Sequence, residues 1–201
     1  MKIGREIICL DSYARINLKS SYKGILLPDK MRKSISKFST AYVPYRGQPY
    51  KLTHADNLML DMKEFYEEKF GANTLTHILP HFQRPDIVFC LDGDGKPVTE
   101  KILEHFPPLY QGNIISKEFL FSKDPQLSDK MEKYHMIAVV VGGWNFFIRD
   151  TSTPTGILRM KLEQLEMVGY KPILIHFNTW TNGNINDRHA FIEKEIKRLL
   201  N

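Results

Sequence analysis

The chain has 201 residues, of which 42% are hydrophobic and 25% charged, a balance that is typical of globular proteins. No apolar run approaches the ~18 residues that a membrane-spanning helix needs. The two cysteines, Cys9 and Cys90, lack the spacing of a zinc site or a disulfide framework. We therefore expect one or two globular domains with reduced thiols, no secretory signal peptide and no membrane partner.

The net charge of +5 is concentrated near the amino end. Residues 1–51 contain 11 Lys/Arg against 3 Asp/Glu, whereas the rest of the chain contains 17 against 20. Aromatic rings interleaved with cations suit single-stranded nucleic acid, because bases stack on rings while cations follow phosphates. The segment therefore predicts a polyanion partner; a solvated surface with its tyrosines in a core is the competing interpretation. These tyrosines are Tyr13, Tyr22, Tyr42, Tyr45 and Tyr50.

The amino-terminal third predicts helices. Residues 4–17 predict a helix that places Ile7, Leu10, Ala14 and Ile16 on one apolar face. Residues 28–38 repeat the helical spacing and begin with proline, which suits a first turn. After an irregular segment with prolines and a glycine, a capping box at Thr53 predicts a third helix.

Beyond residue 72 the pattern changes to that of strands. THILPHF and DIVFCLD predict two strands, and the Asp-Gly pairs of residues 92–95 predict a hairpin turn. Residues 100–106 predict one or two helical turns, and the chain is weakly patterned from there to residue 133. MIAVVV, at residues 136–141, predicts a buried strand.

The last third alternates helix and strand. Leu158, Leu162 and Leu165 have the spacing of one helix face, and Gly169 predicts the end of that helix. KPILIHF then predicts a buried strand, and Asp187 predicts the cap of a final helix. The elements together predict a helical amino-terminal part joined to an α/β carboxyl-terminal part.

Two stretches of the chain resemble modules of one protein family. MIAVVVGGWNFFIRD followed by TGILRMKLEQLEMVGYKPILIHFNTW is similar to the RAP domain, with its pattern G-x-x-x-x-K-x-x-x-L-x-x-x-G-Y, a strand and a Trp. The upstream stretch LDSYARINLKSSYKGILLPDKMRKSIS resembles the block of the FAST kinase-domain family that accompanies RAP domains. The positions that carry the RAP pattern are Gly156, Lys161, Leu165, Gly169, Tyr170 and Trp180.

The resemblance implies a division into a mainly helical region at 1–72, a strand hairpin with an irregular connection at 73–135, and a RAP domain at 136–201. It implies an RNA-binding module of the mitochondrial matrix that acts in RNA processing, stability or translation. Its expected partners are single-stranded mitochondrial transcripts and proteins of RNA granules. Family members are longer, so we expect this chain to be a carboxyl-terminal fragment. Kinase activity is not expected, because the sequence lacks the phosphate loop and catalytic loop of protein kinases.

The RAP domain itself resembles the PD-(D/E)xK nuclease fold of small mismatch-repair endonucleases, a mixed sheet flanked by helices. Those enzymes hold Mg²⁺ with carboxylates. Many RAP domains carry Val-Glu-Val-Asp-Gly and Trp-Glu-Trp, whereas this chain has Val139-Val140-Val141-Gly142-Gly143 and Asn178-Thr179-Trp180. Divalent metal binds poorly without such oxygen ligands. We therefore expect no catalysis at the usual place, and no metal or other cofactor.

Two alternative functions stay open. A substitute site would make the chain an endoribonuclease that depends on Mg²⁺ or Mn²⁺, although turn formation also explains the Asp-Gly pairs. The residues of that site would be Asp86, Asp92, Asp94 and His176. A protein-docking module would instead use the methionines of the third helix, Met59 and Met62, because methionine surfaces adapt to partners.

The RNA-binding interpretation assigns roles by side-chain chemistry. Arginines and lysines would contact phosphates, which orient the RNA without reading its sequence. Trp144 and Phe146 would stack on bases, with a core position as the competing interpretation for Trp144. Trp180 is predicted to be a core residue. The residues predicted to contact RNA are Lys23, Arg32, Lys33, Trp144, Phe146, Arg149, Arg159 and Lys161.

Overall fold

The computed structural model shows a mixed four-stranded sheet with helices packed on both faces. It describes residues 2–38, 42–71, 74–79, 81–82, 84–98, 134–167 and 169–200. The predicted helical turns at 100–106 and the weakly patterned connection after them lie outside the described residues.

The described helices and strands largely follow the predicted order. The first helix continues into a π-helical turn, Ala14–Leu18, and a 3₁₀ turn, Lys19–Ser21. A second 3₁₀ turn, Trp144–Phe146, follows the third strand. The elements are α1 (Lys2–Tyr13), α2 (Asp29–Phe38), α3 (His54–Phe70), β1 (Thr74–Thr76), β2 (Asp86–Asp92), β3 (Tyr134–Gly142), α4 (Gly156–Met167), β4 (Lys171–His176), α5 (Phe177–Asn182) and α6 (Ile185–Leu200).

The strands lie in the order β1-β2-β3-β4. The first three pair antiparallel, whereas β4 pairs parallel to β3. Parallel pairing needs a crossover connection, and α4 supplies it over one face of the sheet. THILPHF was predicted to be a strand, but β1 ends at Thr76, and His77 to Leu79 leave the ladder and stay buried. The predicted hairpin turn after β2 is confirmed, since Asp92 N–H donates to the Lys96 carbonyl at 2.9 Å.

Both faces of the sheet are covered, which is why β2, β3 and β4 read as nearly continuous apolar runs. On one face Val88 and Val140 pack against Leu158 and Leu165 of α4. On the other face the strands pack against α3, α5 and α6. The amino-terminal helical region and the carboxyl-terminal α/β segment thus contribute to one core, through α3 and through β3 and β4.

The inward face of α1 differs from the prediction. Of the predicted face, Ala14 is buried, but Ile7 and Leu10 are 39% and 66% exposed, whereas Asp11 and Arg15 are buried. Asp11 accepts a hydrogen bond from Arg15 Nε at 2.8 Å and also pairs with Arg32 of α2. A buried ionic cluster therefore orients α1 against α2, and the spacing of apolar residues alone does not reveal such a contact.

The predicted caps are mostly confirmed. Asp56 N–H donates to Thr53 Oγ1 at 3.2 Å, and Thr53 N–H donates to Asp56 Oδ2 at 2.9 Å. Gly169 follows α4 with φ +91°, a conformation that favours glycine. Helix α6 starts earlier than predicted, because Asn184 is its N-cap and exchanges hydrogen bonds with Asp187 at 3.0 and 3.2 Å.

Candidate functional site

A groove lies at the carboxyl ends of β3 and β4, where the chain leaves the sheet. Residues 144–145 and 147–152 form one wall, and residues 176–179 form the other. Its volume is about 1090 Å³. Pockets for small ligands measure roughly 300–1,000 Å³, so the groove has room for a nucleotide-sized group.

The floor of the groove depends on Gly142, the last residue of β3. A Cβ atom built there would lie 2.5 Å from the buried ring of Phe147. That ring packs against the imidazole of His176, with 4.1 Å between the ring centroids. The absence of a side chain at Gly142 thus lets Phe147 join the ends of β3 and β4.

The groove presents aromatic rings on both walls. Trp144 is 77% exposed on its 3₁₀ turn, as a stacking surface requires. Across the groove, His176 and Phe177 stack with centroids 4.7 Å apart and an interplanar angle of 25°. Phe146, the other ring predicted to stack on bases, is half-buried and packs against the apolar cluster beneath α4. It supports the turn rather than offering an open ring.

The groove carries little net charge. The guanidinium of Arg149 is 95% exposed and lies 3.7 Å from the Asp150 carboxylate. Much of the remaining polar surface comes from uncharged side chains, among them the exposed Asn145, Asn178 and Thr179. Such a lining favours hydrogen bonds to neutral polar groups over strong attraction of phosphate.

Three exposed cations lie on α4 and on the loop that a hydrogen bond anchors to this helix. Asn17 Nδ2 donates to Glu163 Oε2 at 2.9 Å, which holds the turn before Lys19 and Lys23 against this helix. Arg159 is exposed and precedes Glu163 by four residues, so both lie on the same helix face. We call Lys19, Lys23 and Arg159 the α4 basic surface. Lys19 was not among the predicted contacts, although its place in the basic segment pointed to it.

Two of the predicted phosphate contacts are buried instead. Lys161 is 5% exposed, and its Nζ lies 2.5 Å from Asp86 Oδ1 and donates to the Arg84 carbonyl at 3.1 Å. Arg32 is buried against Asp11. The structure therefore contradicts the prediction that Lys161 and Arg32 contact RNA, because internal carboxylates hold both. Lys33 lies on α2, and its side chain is not among those described.

The inner face of α4 is joined to the segment before β2 by a second polar contact. His81 is buried, and its Nε2 lies 2.7 Å from Oε1 of the buried Gln164. Burial lowers the pKa of His81 to about 4. Burial also raises the pKa of Asp86, which the charge of Lys161 opposes. These groups stabilise the fold from inside and are closed to a ligand.

Acidification tests the contact of His81 directly. The pKa of His81 in the folded protein, about 4, lies below its ordinary value of 6.5, so the unfolded state binds the proton first. The contribution of uncharged His81 to the free energy of unfolding is therefore present above pH 6.5 and is lost as the pH falls below that value. We expect this residue to lower the free energy of unfolding by ~2 kcal/mol between pH 6.5 and 5. Urea unfolding at both pH values would measure it.

The matched variant is His81→Gln, which keeps a polar group opposite Gln164 and cannot titrate. Its free energy of unfolding should change less between the two pH values than that of the natural chain. An identical pH dependence in the two proteins would assign the effect to other groups, such as the buried His77, whose pKa burial also lowers.

The acidic residues of the nuclease alternative do not assemble. Asp92 Oδ1 accepts hydrogen bonds from the backbone N–H groups of Asp94 and Lys96, at 2.9 and 2.8 Å, which is turn formation. Asp86, at the other end of β2, is sealed by its contact with Lys161. The described residues contain no group of three or more His, Cys, Asp or Glu side chains that could hold a metal ion.

The histidine of that alternative lies at the wrong end of the sheet for the turn acids. In the strand register Asp92 is opposite Tyr134, the first residue of β3, and His176 is opposite Gly142, the last. Eight residues of strand separate these two levels by roughly 26 Å. The structure therefore contradicts a substitute site made of these four residues, because strand direction separates them.

The methionines of the docking alternative are also internal. Met59 and Met62 are buried in the core between α3 and the sheet, so the exposed methionine surface that this alternative needs is absent at these two residues. Trp180 is buried in the same cluster, which confirms its predicted core position. In the described part of the chain, no helix combines the length and apolarity that crossing a membrane requires.

The five tyrosines of the basic segment are all exposed, which removes the core interpretation for them. They lie in two places. Tyr13 and Tyr22 belong to the region of α1 and the loop after it. The other three flank Arg46, which pairs with Asp61 and Glu64 of α3 and is thereby neutralised. Cations and aromatics therefore do not all converge on one face.

The structure brings together only part of the predicted RNA contacts. Trp144 and Arg149 line the groove, Arg159 is exposed in the first turn of α4, and Lys23 lies on the loop that Asn17 anchors to this helix. The sequence prediction missed Asn178 and the other uncharged polar groups of the groove, because isolated uncharged polar residues carry no signal that separates a ligand contact from ordinary surface. The chain matches no family model, no curated protein and no solved structure.

Proposed function

We propose that this chain is a module that binds single-stranded RNA without cleaving it. The observation that carries the proposal is the proximity of exposed cations to an exposed aromatic groove. Thr155 N–H donates to the Phe146 carbonyl at 2.8 Å, which holds the start of α4 against the groove wall. Arg159 lies one turn further along α4, so phosphate-binding and base-stacking groups are neighbours.

The architecture is consistent with this proposal. The resemblance to RAP domains implies a mixed sheet flanked by helices. That this sheet has the PD-(D/E)xK nuclease-like topology is part of the proposal and rests on the same resemblance. A role in mitochondrial RNA processing, stability or translation, with mitochondrial transcripts as ligands, rests on that resemblance alone. The proposed module binds rather than hydrolyses, because Asp86 is neutralised by Lys161 and Asp92 is engaged in its own turn.

Salt dependence tests the phosphate contacts. Affinity for a fluorescent single-stranded RNA 12-mer should fall as salt is raised, because bound counterions are released from the RNA. Three contacts predict a slope of log K against log salt of about −2, since each contributes ~0.7. The double variant Lys23→Glu with Arg159→Glu should weaken binding and reduce the magnitude of the slope to about 0.7 or below. Fluorescence anisotropy in roughly 50–300 mM KCl would measure the affinity and its salt slope.

The matched control is Lys194→Glu with Lys197→Glu on α6, two exposed lysines of the helix that packs on the opposite face of the sheet. This control changes the net charge equally and should leave the slope near that of the natural chain. Equal losses in both double variants would show that only the overall charge matters. Binding that is insensitive to salt would contradict the proposal.

A further inference from the structure

We propose that the groove between Trp144 and His176 is a nucleobase subsite, which takes unstacked bases by stacking and by uncharged hydrogen bonds while the phosphates stay outside on the α4 basic surface. The inference rests on the proposed RNA binding and adds to it the part of the ligand that the groove recognises.

The first argument is the exposed ring. An indole that is 77% exposed leaves a large apolar face in water, and a planar ligand would cover it. The turn that carries the ring is fixed by the hydrogen bond from Phe146 N–H to the Gly143 carbonyl, at 2.9 Å, and by the packing of Phe146 against the apolar cluster. The stacked rings of His176 and Phe177 form the opposite wall. The open face of Trp144, beside an aromatic wall, suits a flat heterocycle.

The second argument is the chemistry of the rim. Asparagine amides present a donor and an acceptor side by side, as base edges do, and Asn145 and Asn178 both line the groove. Asn178 N–H also donates to His176 Nδ1 at 3.1 Å. The neutral imidazole therefore carries its proton on Nε2, which makes that nitrogen a donor. The polar groups match the hydrogen-bonding pattern of a base.

The third argument is charge. Asp150 lies 3.7 Å from Arg149 and offsets the one cation among the described lining residues, so a phosphate gains little by entering. The exposed cations Lys19, Lys23 and Arg159 lie on the α4 basic surface instead. A single-stranded RNA can place its bases in the groove and its phosphates on the α4 basic surface at the same time. A peptide would use the groove but would leave the basic surface without a matching charge.

The test compares Trp144→Ala with Tyr50→Ala, which removes an equally exposed ring outside the groove. Anisotropy is measured with an RNA 12-mer and with an abasic oligomer of the same length and charge. Trp144→Ala should weaken RNA binding roughly 5- to 150-fold, the usual effect of losing one stacking platform, with an unchanged salt slope. Tyr50→Ala should bind RNA like the natural chain. The abasic oligomer should bind the natural chain about as weakly as RNA binds Trp144→Ala.

The outcomes separate the two proposals. If Trp144→Ala binds RNA normally while Lys23→Glu with Arg159→Glu weakens it, the base subsite is wrong and RNA binding stands. If Trp144→Ala weakens RNA and abasic oligomer equally, the groove does not recognise bases, and the subsite is again overturned. If the natural chain binds neither oligomer, the RNA-binding function itself fails, and a peptide becomes the occupant to examine. Circular dichroism of each variant confirms that the fold is retained.

Discussion

Lys161→Met is expected to lower the free energy of unfolding by about 3–5 kcal/mol, the usual effect of removing one member of a buried ion pair. The lysine is 5% exposed and Asp86 is 1% exposed, so the carboxylate would be left in the interior without its partner. Urea unfolding followed by circular dichroism would measure the change. The neighbouring Arg159→Met should change stability little, because Arg159 is a surface residue.

The double variant Lys161→Met with Asp86→Asn identifies the cause. It removes both charges, and it should recover part of the stability that the single variant loses. Lowering the pH should also restore stability to the single variant, because it protonates the unpaired Asp86 and so removes the buried charge. Burial raises the pKa of Asp86, and loss of Lys161 removes the charge that opposes this rise. The deficit should therefore shrink as the pH falls and grow as it rises. A deficit of equal size in the single and double variants would point to lost side-chain packing instead.

Asp11→Ala is expected to be as destabilising, at about 3–5 kcal/mol, because it leaves two arginines in the interior without their carboxylate. Arg15 and Arg32 are both buried against Asp11. Asp11 Oδ1 also accepts the backbone N–H of Leu27 at 2.7 Å, and Arg15 donates to the Leu27 carbonyl at 2.7 Å. The same substitution should therefore release the loop of residues 18–27, which hydrogen exchange would report.

The control for Asp11→Ala is Asp61→Ala. Asp61 also pairs with an arginine, Arg46, but both side chains are about half exposed, and exposed pairs contribute little to stability. A similar loss of free energy of unfolding in the two variants would show that the buried cluster contributes no more to stability than an exposed ion pair. Because Lys19 and Lys23 lie on the released loop, Asp11→Ala should also weaken RNA binding under conditions in which the protein is still folded.

Local signals predicted much of the fold. Thr53 and Asp56 form the predicted capping box, and Gly169 ends α4 as its place after Leu165 indicated. The apolar runs of β2 and β3 became strands because each of their faces meets a helix. These features depend on neighbours in sequence or on burial of apolar area, which a pattern of residue types records.

The polar interior is where prediction from sequence failed. Lys161 lies three residues after Leu158 and four before Leu165, so its spacing already put it on the buried face of α4. The prediction that Lys161 is a surface cation relied on its charge and disregarded its position on the helix. Its partner Asp86 lies 75 positions earlier, and nothing local to either residue indicates the pair. The same holds for Asp11 and Arg32, which meet only when α1 packs on α2.

The two outer strands of the described sheet leave little backbone on which a neighbouring molecule could extend it. β1 has three residues, and β4 has six, with Pro172 as its second residue and a helix directly after His176. Proline lacks the amide hydrogen that a growing ladder needs, and short margins offer few bonds to an added strand. Neither outer strand of the described sheet therefore offers a long, flat margin on which copies of this chain could join edge to edge into fibres.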